Sequence, residues 1–167
     1  MKLLRRLFPF ALLFLAACAS APPSSDAPDA RPSLGHYNVA RSTLALEGYD
    51  PVSYFAEGGG EPVRGVKAHA LESRGVRYRF ASEANLELFR RNPARYEPAY
   101  GGWCAYAMAD GEKVEVDVTS YLIQDGALLL FYDGLFGDTR AAWLDEGPDD
   151  LKRRAERGWA SISGEAP

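Results

Sequence analysis

Cys104 is the residue in this chain best placed to do chemistry. A thiolate is both a nucleophile and a soft-metal ligand, and its reactivity follows its pKa. Cys104 follows Gly101-Gly102 after one intervening residue, Trp103; backbone without Cβ atoms there allows close approach to a ligand, and Cys104 opens a short helical stretch running to Ala109. A helix N-terminus lowers a thiol pKa, which points to a reactive or metal-competent group; the alternative is a small buried residue packed between Trp103 and Ala105. Tyr106, on the same stretch, is a further ligand-binding candidate. His69 sits in an alternating strand-like run and is a second possible metal ligand. One Cys and one His do not close a metal site, so Asp50, Asp117 or Tyr49 would have to complete it. Tyr49-Asp50 offers a hydroxyl and a carboxylate to a pocket, or else a packed ring and a helix cap. The chain has no G-x-S-x-G elbow, HExxH motif, P-loop or dinucleotide fingerprint, so no enzyme class is nominated. A Cys104–His69 pair would serve nucleophilic chemistry only if the fold placed the two within hydrogen-bond reach.

The elements that must position these residues alternate between strands and helices. Thr43–Glu47 predicts a strand, and Asp50-Pro51 a cap followed by a short helical turn through Phe55. Val66–Leu71 and Val76–Phe80 alternate around Gly75 and predict a hairpin. Ser82 caps a helix whose Leu86 and Phe89 share a face, and Asn92-Pro93 opens a second, shorter one. Tyr121–Gln124 and Ala127–Tyr132 flank Asp125-Gly126, the strongest hairpin signal in the chain. Leu128-Leu129-Leu130-Phe131 is apolar at every position, so this strand is expected to be central, with both faces covered. Pro148 opens an amphipathic helix with Leu151, Ala155, Trp159 and Ile162 on one stripe, and Trp103, Trp143 and Trp159 are expected in the core. The class is α+β: a small antiparallel sheet with helices packed on it.

The N-terminus carries a different message. Lys2, Arg5 and Arg6 precede a short apolar run over residues 7–17 that contains no acidic residue and is interrupted by Pro9. A bilayer core takes about 20 apolar residues, so residues 1–17 predict a cleaved secretory signal peptide rather than a membrane span. Leu15-Ala16-Ala17-Cys18 resembles the bacterial lipobox, which implies acylation of Cys18 and a membrane partner held through that lipid. Ala19 in place of Asp implies, by the same resemblance, the periplasmic face of the outer membrane. Residues 19–33 are rich in Ala, Pro and Ser and lack large apolar side chains, so 18–33 is expected to be a lipidated cysteine and disordered tether, leaving one domain over 34–167. Loss of Lys2, Arg5 and Arg6 leaves 16 basic against 23 acidic residues, a formal net charge of −7. That balance argues against nucleic acid as a partner. With Cys18 acylated, Cys104 is the one thiol left, and no intramolecular disulfide can form.

A family resemblance overlays this reading. Gly48-Tyr49-Asp50-Pro51-Val52-Ser53-Tyr54-Phe55, Tyr78-Arg79-Phe80-Ala81-Ser82-Glu83-Ala84-Asn85, Asn92-Pro93-Ala94-Arg95-Tyr96 and Tyr100-Gly101-Gly102-Trp103-Cys104 occur in the order seen in YHS domains. The chain resembles the exported bacterial members over about Leu44 to Ile162, which implies a single YHS-like domain. Better understood YHS and TRASH-type domains bind metal through cysteines at positions that fall here on Ser53, Ala81 and Asn85. None of these side chains replaces a thiolate for a soft ion. Three readings therefore stand: a lipid-anchored module that binds a small ligand or periplasmic protein, a handler of a copper-like soft ion through Cys104, and a thiol enzyme or redox protein. A lipid on Cys18 underlies all three. The mature native chain is expected to begin at Cys18, carry acyl mass there and partition into detergent, while Cys18→Ser is expected to stay uncleaved or soluble. Mass spectrometry of the envelope fraction checks this, and a lipid-free N-terminus elsewhere would rule it out.

Overall fold

The computed structural model describes residues 34–39 and 42–165. The signal segment, Cys18 and the tether lie outside them. Among the described residues no helix is long and apolar enough to cross a membrane. The fold is α+β. Three antiparallel hairpins, β1 (Val66–Ser73) with β2 (Val76–Phe80), β3 (Asp117–Gln124) with β4 (Ala127–Phe131), and β5 (Asp133–Gly134) with β6 (Gly137–Asp138), pack with α1 (Glu83–Arg91), α2 (Pro93–Tyr96), α3 (Ala105–Met108), α4 (Thr139–Glu146) and α5 (Pro148–Ser163).

The first half is organised by Asp50. Its carboxylate is fully buried; Oδ1 accepts from Val52 N–H at 2.8 Å, and Oδ2 from Ala81 N–H at 2.8 Å and Asn85 Nδ2 at 2.7 Å. One side chain thus joins the 50–54 turn to the end of β2 and the first turn of α1. Ser53 extends the network, its Oγ donating to the Asp50 carbonyl at 2.7 Å and accepting from Val63 N–H at 3.0 Å. Ser82 caps α1 as expected, accepting from Asn85 N–H at 3.1 Å. Behind this frame Phe80 and Tyr78 pack on Phe89, with ring centroids 5.2 and 4.7 Å apart.

Strand β4 divides the interior. Leu128 and Leu130 point into the core that holds Phe80, Phe89 and Val52, while Leu129 and Phe131 point into a second core with Met108, Trp143, Leu151 and Trp159. The period-2 alternation of a strand sends an unbroken apolar run to two faces, and both are covered. On one edge β4 pairs with β3; on the other, Pro98 and Cys104 form parallel bridges to Leu128 and Leu130. The Asp125-Gly126 turn takes the expected form, with φ of 52° and 80°.

Several elements depart from the sequence expectation. Thr43–Glu47 is not a strand: Leu44 and Ala45 make isolated bridges, and the chain then tightens into a 3₁₀ turn over Leu46–Gly48. Leu44 bridges Arg77 of β2 but has no longer partner, so local β propensity is not extended into a ladder. The single sheet is instead three separate two-stranded hairpins. Asp50–Phe55 is a run of turns rather than a helix, because Asp50 turns inward to α1 instead of starting one. On α5 the buried stripe closes on Ser163, and Ile162 is half-buried; Trp103 is likewise only partly covered.

Asp50→Asn is expected to destabilise by about 2–4 kcal/mol, because either amide orientation turns an N–H₂ toward backbone or Asn85 donors. Phe89→Ala should cost about 3–5 kcal/mol as a lost core aromatic. Urea unfolding of both variants tests this, and an unchanged midpoint for Asp50→Asn would show that its acceptor role is dispensable.

Candidate functional site

The segment between the two bridges to β4 holds three consecutive residues in the left-handed region, as the 46–48 turn also does. Tyr100, Gly101 and Gly102 have φ of 54°, 62° and 86°. The glycines adopt this freely, but Tyr100 carries a Cβ, at a cost of roughly 1–2 kcal/mol. Surrounding contacts hold it there. The Tyr100 carbonyl accepts from Trp103 N–H at 3.2 Å, and Asn38 donates through its backbone to Gly101 O at 2.8 Å and through Nδ2 to Gly102 O at 3.2 Å. Gly101 is required for packing as well, since a Cβ there would lie 2.6 Å from Trp159 Cη2.

A cleft opens on each side of this turn. The smaller, of about 250 Å³, lies between Asn38, Leu46, Pro98, Gly102 and Leu130, with the carboxylates of Glu47 and Glu115 at its border. The larger, of about 550 Å³, has Tyr100, Gly101, Ala127 and Trp159 in its wall. Its charged lining comprises Arg74 and Lys152 against Glu97, Asp125, Glu156 and Glu165. Lys152 donates to Asp125 at 2.7 Å, a contact that raises its pKa. Glu165 is held by the Tyr37 hydroxyl and by Trp159 Nε1 at 3.1 Å, and the Tyr37 and Trp159 rings meet edge to face at 5.4 Å.

Tyr100 is 6 % exposed, and its hydroxyl has no hydrogen-bond partner among the described residues, yet it is not sealed from solvent. Burial first, and the Glu156 carboxylate second, push its pKa above the ordinary phenol range. It therefore stays an O–H donor across physiological pH, on a residue of the cleft wall, with no acceptor among the described residues.

The residues singled out from sequence are not brought together. Cys104 is 0 % exposed, contrary to the expectation of a thiol beside a ligand. Tyr132 N–H and the Thr139 hydroxyl each lie 3.4 Å from its Sγ, and Thr139 Oγ1 in turn donates to Tyr132 O at 2.8 Å. The sulfur is thus a junction between α3, the end of β4 and the start of α4, and it lines neither cleft. The helix it opens is four residues long. His69 is half-buried on β1, in the bulge between Val66 and Ala70, while Cys104 is bridged to Leu130 of β4. Among the described residues no group of three or more His, Cys, Asp or Glu side chains is placed to hold a metal ion. Asp50 is a buried structural acceptor. Tyr49 lies under the Arg64 guanidinium, 4.5 Å from its ring centroid. Tyr106 donates to both Glu146 oxygens at 2.9 and 3.0 Å, which raises its pKa, and so ties α3 to α4.

Sequence reasoning missed Tyr100. The available signal was an aromatic residue immediately before two glycines, but a left-handed tyrosine is decided by its surroundings. Comparison with protein-family models, curated proteins and solved structures finds no match. Cys104 is expected to resist alkylation in a Cys18→Ser chain, reacting at least about a thousandfold more slowly than a free thiol until the domain opens. The rate should ignore added Cu(I) or Zn(II) and rise only with denaturant; rapid reaction at neutral pH would contradict the buried junction.

Proposed function

We propose that the chain is a lipid-anchored binding module of the bacterial cell envelope, with the cleft beside Tyr100 as its ligand site. The observation that carries this is the Tyr100 hydroxyl: a donor on a buried residue with a left-handed backbone, in the wall of a cavity and without a hydrogen-bond partner among the described residues. The hydroxyl reaches solvent and is open to an acceptor from a ligand, and strain in a non-glycine residue persists where the surroundings hold it, often at binding sites. The cleft supplies aromatic and small apolar wall beside one directed donor, the composition of a small-molecule site. Four carboxylates against two cations disfavour an anionic ligand. A neutral, zwitterionic or cationic molecule with an acceptor for Tyr100 fits best.

The metal and thiol readings lose support, since a soft-ion site and a nucleophile both need the Cys104 sulfur to be reachable. Ser53, Ala81 and Asn85, where the YHS resemblance would place metal-binding cysteines, all converge on Asp50. That convergence gives the three positions a protein-internal partner in place of a metal ion.

The test is a panel of saccharides, amino acids and amines screened by NMR against the mature chain. At least one class should shift resonances of Tyr100, Ala127 and Trp159. Tyr100→Phe should leave stability within about 0.5 kcal/mol, because the hydroxyl bonds no protein group, and weaken that binding by about fivefold to tenfold, the worth of one neutral hydrogen bond. A panel that perturbs only other surfaces, or Tyr100→Phe binding at unchanged affinity, would discard the site.

A further inference from the structure

Leu135 and Phe136 stand apart from every other large apolar side chain among the described residues. They are 98 % and 94 % exposed, whereas the next, Leu144, is 54 % exposed. They are adjacent, at the tip of the β5–β6 hairpin, and neither belongs to a core. Two large apolar groups in full contact with water contribute nothing to folding and carry a solubility cost, so their placement calls for something that covers them.

The tip is projected from a well-anchored base. Asp133 pairs with Asp138 and Gly134 with Gly137. Asp138 caps α4, accepting from Arg140 N–H at 2.9 Å and Ala141 N–H at 3.1 Å, and Thr139 N–H donates to Tyr132 O at 3.0 Å. The Tyr132 ring stacks behind Phe136 with centroids 6.5 Å apart, and its hydroxyl accepts from Phe136 N–H at 3.3 Å. Tyr132 therefore props the hairpin from behind, and its ring extends the apolar surface toward a polar edge, the amphipathic form that suits a membrane interface.

We propose that Leu135 and Phe136 insert between lipid headgroups of the membrane that carries the Cys18 anchor, seating the domain on the bilayer by this hairpin. The proposal rests on the lipid-anchor reading. A convex two-residue knob has no cavity for a small ligand; it must itself enter something apolar. Residues 19–33 span at most about 50 Å when extended, more than the width of a domain this size, so the tether lets any face reach the bilayer and the apolar tip selects which one does. Two side chains bury enough area to hold a free protein on lipid only weakly, but tethering turns their insertion into an intramolecular event at high effective concentration. A second copy of the chain is a poorer receiver, because the smaller cleft is bordered by Glu47 and Glu115, which would meet Asp133 and Asp138 at the knob's base. The same carboxylates give the seating a signature: it should favour zwitterionic lipid and be weakened by anionic lipid in a way that added salt relieves.

The test uses the full acylated chain, reconstituted in phosphatidylcholine vesicles containing lipids with a nitroxide near the headgroup. An environment-sensitive dye is placed on Phe136→Cys or, as a control, on Arg91→Cys at the exposed end of α1. The tip dye should be quenched several-fold more than the control, less so with anionic lipid at low salt. In parallel, unacylated Cys18→Ser chain is sedimented with the same vesicles. Weak binding is expected, with the lipid concentration for half-binding about tenfold or more higher in a Leu135→Ser/Phe136→Ser variant. Mass spectrometry separates the two ideas. Acyl mass on Cys18 with an unquenched tip overturns the seating and leaves the anchor standing, as does a tip that becomes protected only when envelope proteins are added. A chain without acyl mass removes the anchor, and sedimentation then decides the tip alone: no vesicle binding, or binding indifferent to Leu135 and Phe136, overturns it.

Discussion

A single buried carboxylate connects the parts of the first half of this domain. Asp50 receives hydrogen bonds from the turn that follows it, from the residue after β2 and from a side chain on α1. These groups are separated by up to 35 residues of chain, so the contact acts as a tertiary tie rather than a local cap. A carboxylate removed from water is costly unless its lone pairs are met, and three donors at 2.7–2.8 Å meet them without a cation. Hydrophobic burial around Phe80 and Phe89 favours many compact arrangements. The Asp50 network is directional, and it selects the one in which β2 ends at the N-terminus of α1.

The second organising element is β4, and it explains why the conspicuous thiol is buried in this architecture. The strand separates two cores, and on its outer edge it is bridged at Leu128 and Leu130 by the 98–104 segment. Cys104 is one of those bridging residues, so its position is dictated by backbone pairing and its small side chain is directed into the junction with Thr139. The Tyr100-Gly101-Gly102 turn spans the gap between the bridges. Its left-handed conformation is the consequence of two fixed ends, and Trp159 fills the space that the missing Gly101 Cβ leaves.

Two features are left over once folding is accounted for, and they face different kinds of environment. The Tyr100 hydroxyl is a directed donor within a concave surface, and Leu135-Phe136 is an apolar projection on a convex one. Both incur a local cost: strain at Tyr100, whose ring packs in the second core while its hydroxyl bonds no protein group, and exposed apolar area at Leu135 and Phe136. Their chemistry is complementary to that of a small polar molecule and of a lipid interface respectively.

The element types were legible in the sequence wherever a local rule was strong. Asp125-Gly126 between apolar runs, Ser82 before α1 and the 3.6-residue stripe of α5 each specify their structure through turn chemistry, capping or periodicity, and all three elements form. The burial of Leu128-Leu129-Leu130-Phe131 followed from an unbroken apolar run in the same way. Thr43–Glu47 failed although β2 offers it an edge at Arg77, because the backbone turns left-handed at Thr43, Leu46 and Glu47 and leaves only Leu44 and Ala45 to pair. Residue types nominated Cys104, His69, Tyr49, Asp50 and Tyr106 as a group, but chemistry at a site depends on distance and exposure, and neither is local. Tertiary structure placed Cys104 in a sealed junction, Asp50 in a hydrogen-bonded frame and His69 on another hairpin. It also held Tyr100 in a conformation its own side chain disfavours, because the energy that maintains that strain comes from Asn38 and Trp159, some 60 residues away on either side.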